Sequence, residues 1–158
     1  MGESESKFFE MLAGKFPAEH KSLEQLTRQR MDVPGQPLTP MMERAIKAWQ
    51  TPLDELTCDQ VRLLVSQNMG IELLAAPVSA FVRQHPQYCA TGYPGDLTRA
   101  ALRAMEEFLI ADPAGARAMA GLDVGFLTKG YDEVEDAQFL GETREIIAAA
   151  TALARGHS

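Results

Sequence analysis

The sequence predicts an all-α protein: a single compact domain of six to eight helices around a central helical hairpin. Three observations carry this expectation. Apolar residues recur at three- and four-residue spacing, as in Leu97, Ala101, Leu102, Met105, Phe108 and Leu109, which places them on one helical face. Helix starts are written as Thr39-Pro40, Thr57-x-x-Gln60 and Asp112-Pro113, pairing a capping oxygen with a proline or a return acceptor. Strand-like composition is confined to Val124, Phe126 and Leu127, where a very short strand and a loop are both open.

Phe8, Phe9, Leu12 and Phe16 form a helical stripe over residues 4–16, ended by Pro17. A weaker stripe follows over residues 23–31. Residues 32–40, with three prolines and a glycine, read as a loop. They divide an N-terminal arm, residues 1–38, from the main body, residues 39–158. Met41, Met42, Ala45, Ile46 and Trp49 are the expected apolar face of the helix that Thr39 starts. Trp49, the single tryptophan, suits a buried anchor; stacking on a ligand is the alternative.

The central hairpin lies in residues 53–97. Thr57 and Gln60 start its first helix, whose apolar face has Val61, Leu64 and Val65. Gly70 stops it, because glycine enters the left-handed region without a steric cost. The second helix carries Ile71, Leu73, Leu74, Val78, Phe81 and Val82. Pro77 removes one backbone donor there, so a kink or a helix start is expected, and His85-Pro86 ends the helix. Tyr93-Pro94-Gly95-Asp96 is a turn, with Asp96 as cap of the next helix. Beyond Gly121, residues 121–141 are glycine-rich, and a last helix carries Phe139, Thr143, Ile146, Ile147, Ala150, Leu153 and Ala154 on one face.

Charge is the most uneven property of the chain. Residues 1–105 hold 12 acids and 11 bases, whereas residues 106–145 hold 10 acids and three bases. Almost the whole net charge of −7 therefore lies in one quarter of the sequence. A nucleic-acid binder needs the opposite sign, so direct binding of DNA or RNA is not expected. The run Asp132, Glu133, Glu135, Asp136 has three readings. It is a solvated helix N-terminus, a docking surface for a basic partner, or a calcium site, although the ligand spacing of a calcium loop is missing.

No catalytic motif stands out. His20, His85 and His157 have no second His or Cys at ligand spacing, so no metal site is expected. Cys58 and Cys89, 31 positions apart, read as ordinary thiols of a reducing cytoplasm, with a bridge or reactive site as the alternative. No phosphate loop occurs, and no cofactor is implied. No apolar run is long enough to cross a bilayer, and the start is too polar for a secretory signal. Gly2 with Ser6 matches a myristoylation pattern formally, a pattern short enough to arise by chance.

Two blocks, Leu56-Thr57-x-Asp59-Gln60-Val61-Arg62-Leu63-Leu64-Val65-Ser66-Gln67-Asn68-Met69-Gly70-Ile71-Glu72-Leu73-Leu74 and Tyr93-Pro94-Gly95-Asp96-Leu97, resemble the immunity proteins of bacterial contact-dependent growth inhibition systems. The resemblance covers residues 49–109. It departs at residues 89–92, Cys-Ala-Thr-Gly, where family members carry more acids. It implies a small cytoplasmic binder that occludes a cognate toxin domain and does no chemistry of its own. Family members meet unrelated toxins through different surfaces, so no contact residues transfer. The charge map nominates Asp132, Glu133, Glu135 and Asp136, with Tyr131 as aromatic anchor, against a basic cleft such as that of a nuclease. The alternatives are a helical adaptor or chaperone and, third, a small enzyme assembled by the fold. The oligomeric state is left open.

Overall fold

Thr57 and Ser22 each accept from the backbone amide three residues on, and Gln60 and Gln25 return a bond to the cap, so two helices begin with complete capping boxes. Side-chain caps also start the helices that follow Thr39 and Asp112. The computed structural model describes residues 6–12, 16–31 and 37–156. Among them are nine α-helices: α1 (Phe8–Met11), α2 (Leu23–Thr27), α3 (Pro40–Trp49), α4 (Cys58–Ser66), α5 (Ile71–Gln84), α6 (Asp96–Arg103), α7 (Met105–Ala111), α8 (Pro113–Ala120) and α9 (Ala137–Gly156). Two 3-10 turns, Leu53–Glu55 and Gly125–Leu127, complete them. No strand forms among the described residues. The segment Val124, Phe126, Leu127 is the second 3-10 turn, with Leu127 buried, so the short-strand option is corrected.

Gly70 adopts φ +72° and opens α5 after a turn in which Asn68 is also left-handed. A side chain at Gly70 would press on Leu23 Cδ1 at 2.9 Å and meet Trp49 at 3.4 Å. Trp49 is buried, and its indole N–H donates to Gln29 O at 2.7 Å. It is the anchor that the sequence suggested, tying α3 to the segment after α2. The two helices of the hairpin then part company. α4 lies against α3 and α6, while α5 lies against α7 and α8, so the turn at Gly70 joins two halves of one core.

α5 runs unbroken from Ile71 to Gln84, so Pro77 is not its start but a buried interior residue. The carbonyl deprived of its donor belongs to Leu73, an exposed residue that water can reach. The expected face from Leu97 to Leu109 is buried at all six positions. It is divided between α6 and α7 by a one-residue interruption at Ala104. α3 departs more clearly from expectation. Thr39 caps it through Met42 N (3.1 Å), yet Met41 and Met42 are 42% and 40% exposed while Ala45, Ala48 and Trp49 are buried. The buried face is rotated away from the two methionines. The period alone could not fix which neighbour the helix would meet.

The first helical stripe is shorter than predicted, because its backbone is shared with another segment. Phe8 N donates to Leu56 O and Cys58 N to Ser6 O, both at 2.9 Å, which holds residues 6–8 extended or just entering α1. Phe8 is fully buried and stacks on Phe81 at 4.8 Å, and Leu23 joins the same core cluster. Residues 32–36 of the proline-rich loop, Gly2 and His157 lie outside the described residues.

α5 packs on α8 with Gly115 tightly enclosed between them. A β-carbon at Gly115 would collide with the Asp112 carboxylate that caps α8 and approach Ser79 Cβ on α5 at 3.1 Å. Gly115→Ala should therefore destabilise the fold by about 1–3 kcal/mol in urea unfolding, combining overpacking with a strained cap. An unchanged midpoint would mean that the two helices separate more easily than this packing implies.

Candidate functional site

The Tyr93 turn is built on one buried carboxylate. Gly95, at φ +82°, is the cap of α6, and Asp96 is the first helical residue rather than the cap. The expected role of Asp96 is thus corrected: its side chain reaches backwards into the preceding loop. Oδ1 accepts from Ala90 N, and Oδ2 accepts from Thr91 N and Gly92 N, each at 2.8 Å. Asp96 is 3% exposed, a burial that charge-assisted bonds and the positive end of α6 offset. Thr91 Oγ1 also donates to Asp59 Oδ1 and accepts from Arg62 Nε, both at 2.6 Å, which ties the loop to α4. Gly95 itself is pinned, since a side chain there would strike Phe126 and lie 2.8 Å from Leu127 Cδ2.

Held in this way, Tyr93 packs edge-on against Phe139 of α9 at 5.4 Å between ring centroids. Tyr131 meets the same ring at 5.0 Å, and the Arg99 guanidinium lies 4.7 Å from its centroid. Phe139 therefore joins the Tyr93 turn to the acidic run, two features 35 or more positions apart in the sequence. Arg99 also donates through Nε to Thr143 Oγ1 at 2.9 Å and approaches Glu142 at 3.7 Å. Burial pushes the Tyr93 phenol pKa up, opposed in part by Arg99. Tyr131 is half-buried against Phe139, so it supports the site more than it projects from it.

The acidic run forms a self-capped turn ahead of α9. Asp132 Oδ1 accepts from Val134 N at 2.8 Å and Glu135 N at 2.9 Å, and Asp132 N donates to Asp136 Oδ2 at 2.9 Å. Glu133 and Arg144 form a two-pronged pair at 2.7 and 3.3 Å. The amides of Glu135 and Val134 lower the Asp132 pKa, and Arg144 lowers that of Glu133. Both contributions are present at neutral pH and lost as pH falls through the carboxylate range. Asp132, Asp136 and Glu133 are thus partly committed to holding the turn. Val134 is 85% exposed at its tip, beside the exposed Glu135.

Two surface grooves continue from this turn along α9. The first, about 380 Å³, is lined by Arg99, Leu102 and Arg103 of α6 with Glu142, Glu145 and Ile146 of α9. The second, about 770 Å³, is lined by Glu106, Leu109 and Ile110 of α7 with Ala149, Ala152 and Leu153 of α9. They share Ala149 and Leu153. Sequence reasoning missed this seam and the roles of Arg99, Arg144 and Phe139. The helical period of α9 was visible, but not which part of it would lie open.

Elsewhere, titratable groups are locally engaged. Among the described residues, His20, Asp54 and Glu55 are the group whose ligand-type atoms cluster, all within 4.8 Å of one another. It is exposed, with His20 Nδ1 at 2.9 Å from Asp54, so the fold gathers a metal-type set that spacing had not shown. His85 Nε2 lies 3.2 Å from Met11 O. Neither Cys58 nor Cys89 is in a disulfide. Burial pushes the Cys58 thiol up to about 11 from an ordinary 9.0, with the Tyr88 side chain opposing, so it is not a thiolate at neutral pH.

A family model for CDI immunity proteins matches residues 25–119. No curated protein and no solved structure matches the chain. The matched span runs from α2 to the end of α8 and includes the Asp96 loop; the acidic turn and α9 lie beyond it. No helix among the described residues is long and apolar enough to cross a membrane.

Two measurements check this geometry. Asp96→Asn would set an amide NH2 against backbone N–H groups, so it should cost about 2–4 kcal/mol of stability in chemical unfolding; a change within about 0.5 kcal/mol would contradict the buried anchor. For Cys58, the unfolded chain releases its proton near pH 9 and the folded chain only near 11. Its contribution is complete below pH 9 and lost between 9 and 11. The Cys58→Ala variant should show a shallower fall in stability across that window, and parallel curves would contradict the assignment.

Proposed function

The chain belongs to the family of CDI immunity proteins, and on that premise we propose that it binds a cognate toxin domain and neutralises it without chemistry of its own. The observation that carries the reading to a surface is the charge around α9. Residues 131–145 contain six acids and one base, and the exposed turn at their start displays Val134 between Glu133 and Glu135. A concentrated negative face accelerates encounter with a basic partner and rejects acidic ones. Toxins that act on phosphate-bearing substrates have basic clefts, so a nuclease domain is the partner class that fits best. Asp132 and Asp136 shape the turn, Glu133 braces it against Arg144, Glu135 presents charge, and Tyr131 stiffens the base through Phe139.

The direct test is capture of the partner by the tagged chain, followed by expression of that partner alone and with this chain. Cell killing that this chain abolishes is the expected result. A stably bound but harmless partner would favour the adaptor or chaperone reading instead. Because Asp132 and Asp136 hold the turn and Glu133 is paired with Arg144, the informative charge reversal is Glu135→Lys. It should slow association at low salt and much less at high salt. An unchanged association rate at low salt would remove the acidic turn from the contact.

A further inference from the structure

The strongest unexplained surface of the molecule is the seam between α9 and the α6–α7 pair. Ile110 of α7 is 76% exposed and Leu153 of α9 is 41% exposed, and both line the larger groove. Large aliphatic side chains facing each other across an open trough lose solvation free energy until something covers them. Ala149 and Ala152 line the same groove, and their small side chains leave room for a partner's bulk. Acids stand along the seam: Glu106 lines the larger groove, and Glu142 and Glu145 line the smaller one together with Arg99 and Arg103. Of the two facing bases, Arg99 is held by Thr143, Glu142 and the Phe139 ring, which leaves Arg103.

We propose that this seam seats a basic amphipathic helix of the toxin, with its apolar face on Ile110 and Leu153 and its Lys or Arg residues on Glu106 and Glu145. The inference rests on the toxin-binding reading and names the part of the partner involved. The dimensions fit a helix, since α9 from Glu142 to Gly156 spans about 21 Å, some four turns. A helix laid in the groove between two others is also a recurrent mode of peptide recognition. Charge separates this occupant from its competitors. A second copy of the chain in a two-fold contact would lay the same seam, with its surplus of acids, against itself. An anionic lipid surface would meet the same repulsion. The acidic turn lies at the N-terminal end of the same helix, so steering and seating occur on one continuous face.

The test places a photoreactive benzoylphenylalanine at position 110 or 152 of the full chain, with positions 42 and 73 as exposed controls. Each version is expressed with the toxin domain that passes the neutralisation assay. The expected result is toxin crosslinked from 110 and 152, through a segment with Lys or Arg and apolar residues at helical spacing. Ile110→Glu combined with Glu145→Lys should weaken toxin binding about tenfold or more, with circular dichroism and melting temperature unchanged because both sites are on the surface. Toxin crosslinked only from 42 or 73, crosslinks to a second copy of this chain, or a captured toxin segment without basic residues would each overturn the proposal. A wild-type chain that fails to neutralise any captured partner overturns the toxin-binding function itself, a failure seen before crosslinking begins.

Discussion

The buried carboxylate of Asp96 is the constraint on which the rest of the molecule's functional face depends. Its bonds to the amides of Ala90, Thr91 and Gly92 fold the 88–95 loop back onto the start of α6. That fold-back sets Gly95 against Phe126 and Leu127 and delivers Tyr93 to the ring of Phe139. Phe139 in turn fixes the first turns of α9 against Arg99 and Tyr131. A charge buried at this depth is tolerated only while all its bonds are made. The loop, α6 and the acidic turn therefore hold their positions together.

Local signals made much of this architecture legible in the sequence. The capping pairs Thr57 with Gln60 and Thr39 with Pro40 act within one helical turn, as does the stop at His85-Pro86, and each is found in place. The family could also be recognised from the α4–α5 block and the Tyr93 turn. What escaped depends on partners distant in the chain. Asp96 looks like a cap in isolation, and only the returning loop makes it an anchor. Met41 and Met42 share the helical period of Ala45 and Trp49, but the neighbour that α3 meets leaves them outside. Glu133 reads as free charge until Arg144, a few turns along, is brought to it. The acidic run was visible as composition, while its division into residues that hold the turn and residues that face outward was not.

The matched family span closes at residue 119, so the α7 side of the seam, with Glu106 and Ile110, lies inside it, and α9 with its leading turn lies beyond it. On this account the packed helices α2 to α8 supply a platform whose α7 edge forms one wall of the seam, and α9 with its leading turn supplies the rest of the recognition surface. Affinity would then come mainly from the apolar seam and encounter rate from the acids, a division common where buried aliphatic contacts sit beside a charged rim.

Amide hydrogen exchange of the chain with and without its toxin tests this most directly. Slowed exchange in residues 105–111 and 131–156 on binding, with the 37–49 segment unchanged, is the expected result. Protection centred on the exposed methionines of α3, with α9 exchanging as in the free chain, would contradict it.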